Sequence, residues 1–399
     1  GGTVVANTLN NSNSAVNMSA TITAGQATGG KAEFYVGSTL VGTDSSIAAF
    51  DGTVTASVAA SSISAGGTVS VKLFDAAGNS VSSSVANPTL TVDKAAPTAT
   101  QAAGTFMNTA SVNVQSSETG TAYLVKTGDS NAITVTDLAS IQGAADTQVN
   151  SVLITAANTD TPLSLTGLED GTYSLYTVDA AGNLSAVASN AITVDTTAPV
   201  APAISTYTDN VGTLQGDYAS GTRTDDSTPT FKGTAEANST VTVYSGTTAL
   251  GTATADASGN WSFTPSALTD GSYTFTAKAT DAAGNTGTVS NSFSLTVDTA
   301  APAAATITGA DDNVAPITGT VASGGSTNDT TPTFSGTAEA NSTVTLYNGA
   351  TVLGTTTADG SGNWTFISPT LAEGTYAVTA KSTDAVGNTG VASNSYTVT

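Results

Sequence analysis

The chain has 399 residues, only 10% of them charged, with 30 acidic against 8 basic and a formal net charge of −22. Such a charge repels nucleic acid and anionic lipid, so neither is an expected partner. Cys and His are absent, which removes disulfides, thiolate or imidazole metal sites, thiol nucleophiles and any Ser-His-Asp arrangement.

Alternating Thr, Ser, Val and Ala with 40 Gly reads as many short strands joined by turns. The apolar stretches stay short, so no membrane insertion is expected in this segment. The chain opens at Gly1-Gly2 without a signal-peptide pattern. It therefore reads as an internal piece of something longer, with module one either whole or cut at its start. Large bacterial surface proteins often avoid Cys, so its absence does not point to the cytosol.

A pentapeptide recurs four times: Asp75-Ala-Ala-Gly-Asn79, Asp179-Ala-Ala-Gly-Asn183, Asp281-Ala-Ala-Gly-Asn285 and Asp384-Ala-Val-Gly-Asn388. The intervals are 104, 102 and 103 residues, close to the size of one immunoglobulin-type sandwich. Seams recur in step: Val92-Asp93-Lys-Ala-Ala-Pro97, Val194-Asp195-Thr-Thr-Ala-Pro199 and Val297-Asp298-Thr-Ala-Ala-Pro302. The expectation is an all-β chain of four tandem seven-stranded immunoglobulin-like Greek-key β-sandwiches in an elongated array. The modules would span 1–92, 93–194, 195–297 and 298–399.

Module one is the shortest and carries Val69 where the later modules have a tyrosine. Module two holds extra residues between its third and fifth strands, about 129 to 162, in which Thr136-Asp137-Leu-Ala-Ser-Ile-Gln142 predicts a capped helical turn. In module three, period-two alternation predicts strands near 203–207, 228–235, 240–244, 249–255, 260–264, 273–280 and 292–297. Module four repeats it almost word for word, with Gly336-Thr-Ala-Glu-Ala-Asn-Ser-Thr-Val344 against Gly233-Thr-Ala-Glu-Ala-Asn-Ser-Thr-Val241. Tyr173, Tyr273 and Tyr376 each follow a Leu-x-x-Gly turn and match a tyrosine corner. Trp261 and Trp364 are expected in the core.

These residues (the Val-Asp-x-x-Ala-Pro seams, Gly-Thr-Ala-Glu-Ala-Asn-Ser and Asp-x-x-Gly-Asn) resemble the bacterial Ig-like repeats of giant type I-secreted RTX and biofilm-associated adhesins. The resemblance implies an extracellular, cell-surface location, Ca²⁺-rigidified linkers, and neighbouring Ig-like modules of the same chain as partners. The host-surface, glycan or biofilm-matrix ligand would lie on another part of the parent. The family's glycine-aspartate nonapeptide repeats are absent, which fits an internal stalk segment.

In a seven-strand sandwich the B–C and F–G loops return to the pole where the incoming linker arrives. Three carboxylates then converge at each seam: Asp93, Glu118 and Asp179; Asp195, Glu236 and Asp281; Asp298, Glu339 and Asp384. The seam Asp and the F–G Asp are 86 residues apart each time. Clustered carboxylates repel unless neutralised, and no Lys or Arg recurs at corresponding positions. An all-oxygen set without nitrogen or sulfur suits Ca²⁺. The alternative is local: Asp-x-x-Gly-Asn is also a good turn, with Asp making an Asx bond and Gly taking positive φ. Asp75, whose module has lost its upstream linker, would be a half-site at best. A second acidic set, Asp209, Asp217, Asp225 and Asp226 against Asp311, Asp312 and Asp329, reads first as a solvated polar loop, with a further calcium site as the alternative.

The leading function is a monomeric structural spacer of a bacterial cell-surface adhesin, with no enzyme activity. The alternative is a glycan- or protein-binding adhesive domain, best placed in module two. A site repeated in register is structural more often than catalytic, and the 6% aromatic content offers little binding platform.

Overall fold

The computed structural model describes residues 8–10, 13–22, 30–45, 52–82 and 89–399; the opening Gly1-Gly2 lies outside them. Among the described residues nearly all regular structure is β, with one short helix, Leu138–Gln142, and one 3-10 turn, Ala60–Ser62. The described residues form two compact units, 1–197 with 282–284, and 198–281 with 285–399. Each holds two of the four sequence repeats almost entirely.

The third repeat shows how the sequence builds its sandwich. Thr230–Thr234 sits between Ala203–Asp209 and Asn260–Phe263 in one sheet, with Gly216–Tyr218 at the edge. The facing sheet runs Thr222–Thr224, Phe293–Val297, Gly271–Thr280, Thr240–Ser245 and Thr248–Thr254. In Phe293–Val297 the alternate residues Phe293, Leu295 and Val297 are buried, as period-two patterning requires. Both sheets contribute to one core: Ile204, Tyr207, Phe231 and Trp261 meet Val241, Val243, Phe275, Phe293 and Leu295. All seven expected strands are present, with two short ones added. Gly216–Tyr218 doubles back on the first strand, and Thr222–Thr224 crosses to pair in parallel with Phe293–Val297.

The Gly-Thr-Ala-Glu motif has a packing cause. A Cβ on Gly233 would lie 1.9 Å from the Ala203 carbonyl oxygen and 2.6 Å from the Trp261 ring. On Gly336 it would lie 1.8 Å from the Thr306 oxygen and 2.5 Å from Trp364. Each indole covers a bare backbone across the strand pair and is almost wholly buried, at 3% and 2% exposure. Two separate cores of the same kind serve the first and second repeats, and a fourth centres on Phe334, Trp364 and Tyr396.

The predicted tyrosine corners are formed. The hydroxyls of Tyr173, Tyr273 and Tyr376 donate to the carbonyls of Glu169, Thr269 and Ala372, each four residues back. The helical turn of the second repeat also forms, with Asp137 accepting from Ser140 N and the Ser140 hydroxyl accepting from Asp137 N. The extra segment is shorter than 129–162, however. Val149–Ile154 pairs with Gly120–Lys126, and Thr161–Ser164 with Ser111–Ser116. They match strands 248–254 and 260–263 of the third repeat, so they belong to the sandwich. Mixed polar residues in Val149-Asn-Ser-Val-Leu-Ile154 hid that strand.

Candidate metal centre

Three elements bring the first trio together. Asp93 follows the strand Thr89–Val92, and its backbone N–H donates to the Leu9 carbonyl at 3.0 Å. Glu118 lies in the tight turn between Ser111–Ser116 and Gly120–Lys126. Asp179 ends the strand Gly171–Asp179, directly opposite Gly120 in the ladder. One carboxylate oxygen from each of Asp93, Glu118 and Asp179 lies within 4.8 Å of the other two. Asp179 is buried and the others half-buried.

Asp179 also serves its own turn. Its carboxylate accepts from Asn183 N and from Asn183 Nδ2, both at 2.8 Å. Calcium and turn chemistry are therefore compatible, since one carboxylate oxygen can accept a hydrogen bond and still ligate a cation. Burial, then the charges of Asp179 and Asp93, hold the Glu118 carboxyl above its ordinary range. Among the described residues none of the three forms an ion pair with a lysine or arginine. The neighbouring Lys94 is turned to the carbonyls of Ala60 and Ile63. Three hard oxygens, one contributed by a group under electrostatic stress, fit Ca²⁺ better than a softer metal.

Two asparagines complete the seam: the sequence reading took Asn183 only as a turn residue and missed Asn10. Asn183 Nδ2 donates to the Asp93 carbonyl at 3.0 Å, 90 residues earlier. The fully buried Asn10 donates to the Ala181 carbonyl. The signal for Asn183 was present, because the seam Asp and the last residue of Asp-x-x-Gly-Asn keep a fixed interval.

In the fourth repeat Asn388 Nδ2 reaches the Asp298 carbonyl at 2.8 Å in the same way. Asp384 accepts from Asn388 N and Nδ2, both at 2.9 Å. The carboxylates of Asp298, Glu339 and Asp384 are not gathered within 4.8 Å, and Asp298 lies 3.9 Å from Arg223 Nη1. Asp195 lies in the first compact unit, where it accepts from Thr197 N at 2.9 Å. Glu236 and Asp281 lie in the second, with Asp281 accepting from Asn285 N and Nδ2. Asp75 makes the same loop bonds to Asn79 in the first repeat.

The second acidic set differs from expectation. Asp209, Asp225, Asp226, Asp312 and Asp329 are 3%, 8%, 0%, 3% and 4% exposed, whereas Asp217 and Asp311 are exposed as a solvated loop requires. The added strand 222–224 contributes the Thr224 hydroxyl, which donates to Asp209. Burial, then Asp209, pushes the Asp225 carboxyl up.

Residues 203–299 and 304–399 each match the family model of the bacterial Ig-like domain. Chitinase A1 of Niallia circulans is 39% identical over 153 residues, 37% of this chain, and the match spans only 20% of the chitinase. Solved structures of similar fold include a Ca²⁺-stabilized adhesin that helps an Antarctic bacterium reach out and bind ice. It is 21% identical, covering 98% of this chain and 96% of that one, with a TM-score of 0.33. A 1.5-MDa bacterial ice-binding adhesin is 19% identical over 77% of this chain and 99% of its own, with a TM-score of 0.29. The BSP domain of a biofilm associated protein is 15% identical over 87% and 79%, with a TM-score of 0.19. None superposes closely enough to bear on mechanism. Residues 203–299 and 304–399 are thus two members of the bacterial Ig-like domain family.

Proposed function

We propose that this chain is a spacer segment of a bacterial cell-surface adhesin, acting outside the cell as a monomer, with Ca²⁺ at its seams. The observation that carries this is the Asp93, Glu118 and Asp179 trio, whose oxygens lie within 4.8 Å of one another. The four modules, divided at 1–92, 93–194, 195–297 and 298–399, repeat one architecture, and the acidic seam positions recur in register. Asp195, Glu236 and Asp281, and Asp298, Glu339 and Asp384, occupy the corresponding positions of the sequence repeat. A bound cation would supply the positive charge for which Asp93, Glu118 and Asp179 have no lysine or arginine among the described residues. The chain's own residues fix the linker: Asp179 and Asn183 hold the loop, and Asn183 holds the Asp93 carbonyl.

Extracellular calcium modules bind with Kd of about 10⁻⁴ to 10⁻³ M. At about 1–10 mM free Ca²⁺ each site would add roughly 0.5–3 kcal/mol. That suffices to favour one linker geometry without making a rod unbreakable. No reaction is assigned to the chain, whose acidic groups recur at joints and which has neither His nor Cys. Small-angle scattering of the full chain tests the spacer role. The expected result is a larger maximum dimension in millimolar Ca²⁺ than in EDTA. Equal, compact profiles in both would overturn it.

A further inference from the structure

We propose that the second repeat binds one neutral sugar residue of a glycan, in the cavity between its helical turn and the edge strand Val149–Ile154. The site goes beyond the spacer role and stands apart from the seams and from any cation there.

The cavity exists because of a segment that the third repeat lacks. There the matching strands, 240–245 and 248–254, are joined by two residues, Gly246 and Thr247. The second repeat instead places residues 127–148 between Gly120–Lys126 and Val149–Ile154. This segment is pinned at many points. Leu138 and Ile141 of the helical turn are buried. Lys126, only 3% exposed, reaches Asp129 at 2.9 Å and Glu169 at 2.7 Å. Asn131 Nδ2 donates to Glu169 at 2.7 Å, and Gln148 Nε2 donates to the Asn131 carbonyl at 2.9 Å. The Thr147 carbonyl accepts from the Tyr173 hydroxyl and from Glu169 N. A wall tied in this way stands before any ligand arrives, as the walls of small-ligand sites do.

The cavity holds about 580 Å³, inside the range of about 300–1,000 Å³ that small-ligand sites occupy. Its lining matches the two faces of a sugar. Tyr123, half-buried on the strand Gly120–Lys126, offers a phenol ring. The electron-rich face of such a ring attracts the C–H groups of a pyranose. Gln142, Asp146, Thr147, Ser151 and Thr166 are exposed and line the same space. Their amide, carboxylate and hydroxyl groups donate and accept as sugar hydroxyls require. Asn150 also lines the cavity, but its side chain is spent on the wall. Its Nδ2 donates to the Ser164 and Thr166 carbonyls, and its Oδ1 accepts from Ser151 N.

Charge selects among sugars. Among the described residues no lysine or arginine lines the cavity, whereas Asp146 does, and the chain carries a net charge of −22. Sulfated, phosphorylated or carboxylated sugars are repelled by this field, which leaves the neutral ones.

The experiment passes the full chain over immobilised neutral oligosaccharides of glucose, galactose, mannose and N-acetylglucosamine, and over sulfated and uronic-acid counterparts. The parent should be retained by at least one neutral sugar and by none of the anionic ones. Tyr123→Ala and Asp146→Ala should each weaken retention about tenfold, while Tyr123→Phe, which keeps the ring, should preserve it. Thermal melts that match the parent show that a variant is folded. Should Tyr123→Ala not fold, Gln142→Ala and Thr166→Ala, at exposed positions, carry the test in its place. No retention on any neutral sugar, stronger retention on the anionic ones, or retention unmoved in folded alanine variants would each overturn the site.

Discussion

Asn388 Nδ2 donates to the backbone carbonyl of Asp298, 90 residues earlier, and the bond ties an F–G loop to the linker that enters the same sandwich. Asn183 does the same for Asp93. One side chain thus holds both the loop carboxylate and the linker backbone beside it. The seam is positioned by these amide hydrogen bonds, to a carboxylate on one side and a backbone carbonyl on the other, with no cation needed.

Asn183→Ala should therefore cost about 1–2 kcal/mol, because it leaves the buried Asp179 carboxylate and the Asp93 carbonyl short of donors. Asn79→Ala, in the exposed loop of the first repeat, removes only the Nδ2 bond to Asp75 and should cost less. Denaturant melts of the two variants give the comparison, and equal losses would argue against the linker bond.

Acid should act on the first trio in opposite senses with and without metal. In the calcium-free protein the raised Glu118 carboxyl binds its proton more tightly folded than unfolded. Its contribution to stability is present below the ordinary value of 4.5 and is lost as pH rises through the raised folded value. Ca²⁺ competes for the same oxygens, so its affinity at this site should fall as pH drops through that value. Calorimetric titration at neutral pH and near about pH 5 should show weaker binding under acid, and Glu118→Gln should remove this site's contribution.

The tyrosine corners should differ in strength. Tyr173 is fully buried, and burial pushes its hydroxyl up to about 12, so it remains a donor to Glu169 and Thr147. Tyr173→Phe should cost about 1–2 kcal/mol, while Tyr376→Phe, in a half-exposed corner, should cost about 0.5–1 kcal/mol. Urea midpoints of the two variants measure it.

Gly233→Ala and Gly336→Ala should each destabilise by about 1–3 kcal/mol or more, since the added methyl meets a strand carbonyl and an indole that cannot both retreat. Gly246→Ala meets no neighbouring atom and tests only its positive φ of +58°. Near-ultraviolet spectra should show the tryptophan environment altered in the first two and intact in the third.

Much of this could be read from the residues. Period, strand alternation, the Tyr173, Tyr273 and Tyr376 corners and the Asp137 cap all depend on local chemistry that a sequence displays. The strands 216–218 and 222–224 were hidden because three residues carry too little alternation to register. Without them, Asp209, Asp225 and Asp226 read as solvated loop residues, although all three are buried and Thr224 of strand 222–224 bonds both Asp209 and the Asp226 backbone. Asn183 and Asn388 were seen only as turn residues, because a side-chain bond spanning 90 residues leaves no local mark.

The most direct test is calorimetric titration of Ca²⁺ into the EDTA-treated full chain, paired with Glu118→Gln. Saturable binding in the parent and one site fewer in the variant would place the ion where Asp93, Glu118 and Asp179 converge. A flat titration, with melting unmoved by millimolar Ca²⁺, would mean that the turns hold these carboxylates unaided and that the joints work without metal.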